Sequence, residues 1–404
     1  MAEKPKKKWL RARHRIITGI GRPVLYLVCK ILYPGLKLER FKDQGKRPYL
    51  ILLNHQTPFD QFFVACSFRS AVYYLATEDI FSLGWVSSLI RWVVAPIPIK
   101  KQTMDITAVK NCILVAREGG TICIAPEGNR TYSGRTEYMR PSIASLAKKL
   151  GLPIALYRIE GGYGAEPRWT DARRRGPIRA YVCRVIEPEE VAALSADELF
   201  REIEQGLAVD ETKLGGTYRS EQRAEFLDRC IYICPTCGFA AHYAEGNTIT
   251  CSCCKKVVTY GEDKRLTGAD FPFAYAAEWY DYQKEYINSR DLTALTEKPV
   301  FVDRAELREV ILNQHKNVLR ENAELKLYGD RVVFDEGTEN ELVLPFSALS
   351  AVSVLGRNKA NIYHEGTVYQ LKGDKHFNAL KYVHFYYRHK NITRGEENGE
   401  FLGL

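Results

Sequence analysis

PYLILLNHQTPFDQFFVACSF, residues 48–68, decides how the first half of the chain is read. PYLILLN (48–54) is a short continuous apolar run and reads as a buried strand. FDQFFVACSF (59–68) reads as a helix. Between them His55 leaves the carboxyl end of the strand, and Asp60 enters the first turn of the helix. Thr57 suits an N-cap, Pro58 the first helical position and Asp60 the third, so capping alone accounts for two of these residues. Geometry adds a second role. Ligands sit at strand ends in open α/β sheets. A short turn there can bring an Asp carboxylate to one imidazole nitrogen and leave the other to take a proton. This is the orienting half of a Ser-His-Asp triad without its serine, so the nucleophile has to come from the substrate.

The pattern continues outward. AVYYLAT, APIPI, TICIAP, PIALYRI and IRAYVCRVI read as strands. They alternate with SLGWVSSLIRWV, ITAVKNCILVAREG and SIASLAKKLG, which read as helices. The alternation predicts an α/β domain over 37–212 with a mixed, largely parallel sheet flanked by helices. SADELFREIEQGLAV closes it with a capping box at Ser195 and Glu198.

A second strand end carries chemistry. TICIAPEGNRTYSG (121–134) runs from a strand into Pro126-Glu127-Gly128, then Asn129 and Arg130. Gly128 permits a tight turn and Arg130 offers a planar fork for phosphate. Lys100 and Lys101 follow the strand APIPI.

Together these blocks resemble the glycerolipid acyltransferase family, most closely the bacterial 1-acyl-glycerol-3-phosphate acyltransferases. NHQTPFD matches the NHxxxxD box and APEGNRT the second signature, usually FPEGTRS. In APIPIKK, Lys101 stands where Arg is usual, and in GLPIALY, Leu156 stands where a second Pro is common. The resemblance spans roughly residues 15–210. It implies that His55 is the general base and Asp60 its orienting partner. Lys101, Glu127, Gly128 and Arg130 would hold the glycerol phosphate. The acyl donor would be acyl-CoA or acyl carrier protein, and the acceptor a lysophospholipid, first lysophosphatidic acid. Acceptors with another headgroup, and an inactive zinc-dependent membrane or protein adaptor on the same fold, are the alternatives.

The remaining segments place this domain in a larger chain. The 404 residues carry a net charge of +9, which points to an anionic partner. Residues 1–36 join a basic head, EKPKKKWLRARHR, to apolar and aromatic residues, as in a segment lying in the membrane interface beside anionic lipids. Arg22-Pro23 should break it into two short helices. Charges interrupt both this segment and SLGWVSSLIRWVVAPIPI, so neither reads as a membrane span, and the latter reads as a core helix running into a strand. No signal peptide is read. The expected location is cytoplasmic, peripheral on the inner face of the cell membrane.

Six of the eleven cysteines lie between Cys230 and Cys254. Cys234-x-x-Cys237, thirteen residues, then Cys251-x-x-Cys254 gives the spacing of a structural zinc ribbon over 230–262, with Cys253 a competing ligand. The stretch between the pairs holds no Lys or Arg, which disfavours nucleic acid as the partner. Residues 213–229 read as a linker and 263–297 as a helical connection. From 298 to 404, Gly-punctuated β segments end in a helix capped by Asp374, similar to a pleckstrin-homology-like (PH-like) fold. EPRWTDARRRGPIR (166–179) is either a phosphate-contacting or a solvated basic loop.

Overall fold

In the central strand β2 (Leu50–Leu53) all four residues are apolar and buried, as the opening stretch requires of a strand covered on both faces. The computed structural model describes residues 8–42, 47–77, 85–99, 105–311, 316–396 and 399–401. Chain contacts divide it into two units. The first comprises Met1–Arg130, Met139–Gly162 and Pro177–Asp210; the second comprises Thr131–Tyr138, Tyr163–Gly176 and Glu211–Leu404. Two segments of the span read as one α/β domain, 131–138 and 163–176, thus belong to the second unit, together with the cysteine region and the β region.

The sheet of the first unit runs β1 (Leu36–Leu38), β7 (Ile178–Ile186), β6 (Ile154–Glu160), β2, β5 (Thr121–Ile124), β3 (Val72–Thr77), β4 (Ile97–Ile99). Only the β6–β7 pair is antiparallel. The carboxyl ends of β6, β2, β5, β3 and β4 therefore share one edge. Leu50, Leu52, Ile122, Ile124, Ile154 and Leu156 form the core with buried residues of helices α4 (Ile106–Arg117), α5 (Ser142–Leu150) and α8 (Ala196–Leu207). The Ser195–Glu198 capping box is present at α8. Leu156 pairs with Leu52 on one side and Arg184 on the other and is fully buried. It is a core residue, so its departure from Pro bears on strand pairing and not on the acceptor.

Two helices differ from expectation. The N-terminal segment is one helix, α1 (Ala12–Leu32), with Pro23 inside it. The missing proline hydrogen bond is outweighed by tertiary anchoring: Arg22 donates from Nε to Ala65 O at 3.0 Å and from Nη2 to Arg69 O at 2.8 Å. Helix α3 (Trp85–Val93) is not a core helix. Trp85 is 77% exposed, and Leu89 and Trp92 are about half exposed. No described helix is long and apolar enough to cross a membrane.

In the second unit, strands β10 (His242–Glu245), β11 (Thr248–Cys251), β12 (Val257–Tyr260) and β13 (Leu266–Thr267) form an antiparallel sheet beside the small pair β8 (Ile233–Cys234) and β9 (Gly238–Phe239). Helix α9 (Ala276–Asn288) follows. The C-terminal sheet has seven antiparallel strands in the order β17 (Leu342–Pro345), β16 (Arg331–Phe334), β15 (Lys316–Leu327), β14 (Phe301–Val310), β20 (Thr367–Gly373), β19 (Lys359–His364), β18 (Leu349–Leu355). Helix α10 (Leu380–Thr393) closes it and is buried from Leu380 to Arg388, which no amphipathic pattern announces. Asn378 Oδ1, not Asp374, accepts from its first turn, at Lys381 N.

Polar segments read as solvated are packed instead. In the expected linker, Tyr218, Ala224, Phe226 and Leu227 are buried, and just before it Glu211 forms a buried ion pair with Lys264 at 3.0 Å. The Tyr218 ring lies where a Cβ on Gly164 or Gly176 would come within 2.3 or 2.2 Å. In the basic loop, Arg168 and Arg174 are buried: Arg168 stacks on Tyr132, and Arg174 on Trp169 and Tyr260. Arg173 pairs with Glu166, and Arg357 with Glu166 and Asp171. Arg168 and Arg174 thus hold the fold from within it, while Arg173 and Arg175 of the same loop are exposed.

His384 of α10 makes the second unit acid-sensitive. It is fully buried, with Nδ1 2.6 Å from Tyr232 Oη. Burial pushes its pKa down from 6.5 to about 3, and that of His242 to about 4. A depressed histidine is neutral when folded and charges on unfolding. Its contribution is full above pH 6.5 and is lost as pH falls towards 3, at about 1.4 kcal/mol per unit. Asp228, pushed up to about 6 by burial, acts in the opposite sense. The expected result is a thermal midpoint that falls from pH 7 to 4.5 more steeply in the wild type than in His384→Gln. Equal slopes in the two proteins contradict this account.

Candidate active site at the strand edge

Strands β2 and β5 pair in parallel with Leu52 opposite Ile124. His55 and Glu127 each lie three residues beyond that pair, so the two turns emerge side by side. Glu127 Oε1 accepts from His55 N at 2.7 Å and ties the turns together. On the other side, Asn54 extends the pairing of β2 with β6 through its side chain. It donates from Nδ2 to Ile159 O at 2.8 Å and accepts from Ile159 N at Oδ1 at 2.7 Å. The sequence reading quoted Asn54 within its box but gave it no role. Its amide matches the donor–acceptor pattern of a peptide, and that was the available signal.

The His–Asp pair is formed. His55 Nδ1 lies 2.7 Å from Asp60 Oδ2. Asp60 is 1% exposed, and its carboxylate also accepts from Gln56 N at 2.7 Å, Thr57 N at 3.0 Å and Thr57 Oγ1 at 2.6 Å. The capping expectation is therefore reversed. Helix α2 (Asp60–Ser67) begins at Asp60 without a side-chain cap, and Thr57 spends its hydroxyl on Asp60. Three backbone and side-chain donors besides the imidazole fix the carboxylate plane. With the carboxylate accepting a hydrogen bond from Nδ1–H, a neutral ring has its Nε2 as the acceptor. The His55 side chain is 26% exposed. Gly162 lets the chain pass close by: a Cβ there would meet Gln56 and Thr57 at 2.8–2.9 Å.

The second turn has the expected geometry. Gly128 is exposed with φ +75°, the left-handed region that favours glycine, and its N–H donates to Ala125 O at 3.0 Å. Arg130 is half-buried. Lys101 lies outside the described residues, as does Lys100.

In the second unit the sulfurs of Cys234, Cys237, Cys251 and Cys254 all lie within 4.8 Å of one another. Of the two neighbours, Cys254 is in this group of four, while Cys253 is exposed and hydrogen-bonds Cys237. Four sulfurs about 2.3 Å from a tetrahedral zinc stand about 3.8 Å apart. Cys234 Sγ and Cys254 Sγ are 3.8 Å apart. Gly238, just after Cys237, has φ +74°, as the knuckle turn requires. His242 is not in the cluster; its Nδ1 lies 3.0 Å from Ala240 O. Among the described residues no other histidine joins a group able to hold a metal.

Residues 37–158 match the acyltransferase family model. Among curated proteins, the chloroplastic 1-acyl-sn-glycerol-3-phosphate acyltransferase BAT2 of Brassica napus is 22% identical over 164 residues, 40% of this chain and 46% of that protein. The chain thus spans less than half the length of this curated relative. Among solved structures, the 1-acyl-sn-glycerophosphate (LPA) acyltransferase PlsC from Thermotoga maritima is similar over 48% of this chain and 76% of its own. The identity is 18% and the TM-score 0.40.

Proposed function

We propose that the chain, whose residues 37–158 match the acyltransferase family model, transfers a fatty acyl group from acyl-CoA or acyl carrier protein to the free hydroxyl of a lysophospholipid, lysophosphatidic acid before others. The observation that carries this reading is the His55 Nδ1–Asp60 Oδ2 contact at the end of β2, on a partly exposed imidazole. Nε2 removes the proton of the acceptor hydroxyl. The oxygen attacks the thioester carbonyl, the C–O bond forms, the C–S bond breaks, and the imidazolium returns the proton to the departing thiolate. Asp60 holds the tautomer and offsets the charge on the ring.

Gly128, Arg130 and Lys101 take the acceptor phosphate, with Lys101 contributing charge without a bidentate fork. Glu127 is better read as a positioning residue than as a phosphate ligand. A carboxylate repels phosphate, and its Oε1 already accepts from His55 N.

The four-cysteine cluster is read as a structural zinc site. A closed set of four thiolates leaves no position for substrate, so the metal would supply folding energy and no chemistry. The seven-stranded sheet closed by α10 supports the PH-like reading of the C-terminal region.

The partner surface is an anionic membrane. On α1, Ile16, Ile20, Val24, Leu27 and Ile31 are exposed at helical spacing, and on α3 Trp85, Leu89 and Trp92 are. Arg13 lies over the Trp92 ring at 5.3 Å, so the two helices present neighbouring apolar faces. Arg11, Arg13, Arg15, Lys30 and Arg91 supply positive charge on these elements.

The test is turnover of purified protein on vesicles with lysophosphatidic acid and acyl-CoA. Phosphatidic acid should form, and faster as anionic lipid is added. No product with either donor class or with any lysophospholipid overturns the reading.

A further inference from the structure

The turn that carries His55 is held by the end of β6. Backbone pairing of β2 with β6 stops at Leu53 and Tyr157. Beyond it the Asn54 side chain takes over. Its Nδ2 donates to Ile159 O at 2.8 Å, and its Oδ1 accepts from Ile159 N at 2.7 Å. Asn54 is 1% exposed, so both bonds are made away from water. Further along the same turn, Gly162 comes so close that a Cβ on it would lie 2.8–2.9 Å from Gln56 and Thr57. The opposite flank is held by the turn after β5, where Glu127 Oε1 accepts from His55 N at 2.7 Å. The link between residues 54 and 55 is thus fixed from both sides, all within the first unit.

The residue type fits this task closely. The main chain has to leave the sheet at residue 54 so that His55 can turn toward Asp60. A carboxamide carries both a donor and an acceptor, so it pairs with β6 as a peptide would while the main chain departs. Ionised Asp has no donor for Ile159 O. Ala leaves both groups of Ile159 unpaired. Gln keeps both groups but sets them one methylene further out.

We propose that Asn54 is a positioning residue for His55: by pairing with Ile159 it fixes the backbone from which the imidazole projects, and so sets the contact between Nδ1 and Asp60. This rests on the acyl-transfer reading. Buried Asn54 touches no substrate, so its loss acts on the chemical step and not on binding. A displacement of about 1 Å in a reacting group is enough to lower a rate by as much as ~100-fold.

The experiment uses the full chain with Asn54→Gln, Asn54→Asp and Asn54→Ala. Asn54→Asp keeps the side chain's size and the bond from Ile159 N, so a folded variant is in hand even where Asn54→Ala fails to fold. Turnover of lysophosphatidic acid with acyl-CoA is measured beside NMR of protein carrying isotope-labelled histidine. In Asn54→Gln, kcat should fall about 10- to 100-fold with the KM of donor and acceptor unchanged. In Asn54→Asp, kcat relative to wild type should recover as pH is lowered. Burial raises the pKa of the new carboxyl, and its protonated form regains the donor to Ile159 O. The His55 Nδ1–H signal, assigned by its absence in His55→Ala, should shift in Asn54→Gln and in ionised Asn54→Asp. An unmoved signal in a folded variant overturns the proposal, as does a rise in KM with kcat unchanged. Absence of turnover in the unmutated chain sinks the acyl-transfer reading instead, and the histidine signal then decides the positioning role by itself.

Discussion

His55→Ala is expected to lower kcat by about 10²- to 10⁴-fold, the range of a positioned general base, with little change in melting midpoint. The argument for a clean loss is local. The imidazole is partly exposed and its described side-chain bond goes to Asp60 alone. Removing it takes away the proton acceptor but leaves Asp60 held by Gln56 N, Thr57 N and Thr57 Oγ1, so the turn persists. The backbone N–H of residue 55 still reaches Glu127. Asp60→Asn is a poorer probe. It sets an NH₂ group against donors arranged for a carboxylate, and a buried mismatch of that kind costs about 1–3 kcal/mol. It should therefore lose stability as well as activity. The check is steady-state turnover on lysophosphatidic acid with acyl-CoA, beside thermal melting. A His55→Ala protein within threefold of wild type, where wild type turns over, removes the imidazole from the mechanism. No turnover in either favours the adaptor reading.

The sequence carried the strand at the heart of the first unit well, for reasons tied to particular residues. Leu50–Leu53 is apolar at every position, which only a strand covered on both faces tolerates. Ser195 and Glu198 formed their box because capping depends on neighbours in sequence alone. The cysteine pairs were equally legible, since a knuckle is a local turn. What escaped was set by distant partners. Pro23 sits inside α1 because Arg22 finds carbonyls at Ala65 and Arg69, far along the chain. Arg168 and Arg174 look like solvated charge until Tyr132, Trp169 and Tyr260 are found against them. Thr57 is the exception: its partner Asp60 is only three residues on, and a hydroxyl at that spacing suits a helix cap as well as a bond to the carboxylate. The grouping of residues 131–138 and 163–176 with the second unit has no periodic signature at all.

Removing metal from the cysteine cluster should produce the largest loss of stability. Purified protein should contain one zinc per chain. Chelation, or Cys251→Ser, should unfold the knuckles and destabilise the second unit by about 5 kcal/mol or more, against the ~10–16 kcal/mol apparent for isolated zinc-finger peptides. A value below the peptide range is expected because the knuckles have some support. The buried core at the site is only Cys234, Ala240 and Cys251, with Cys237 packed on it. The flanking Ile233, Ala244 and Ile249, however, belong to the main core of the unit and persist without metal. Cys253→Ser is the control. Cys253 is exposed and outside the cluster, so its loss should leave zinc content and the melting midpoint as they were. The measurement is metal content by mass spectrometry, with thermal melting before and after chelation. Metal-free protein whose melting ignores a chelator would mean that four sulfurs within 4.8 Å are held by packing alone. A core of two buried cysteines and one alanine gives no physical reason to expect that.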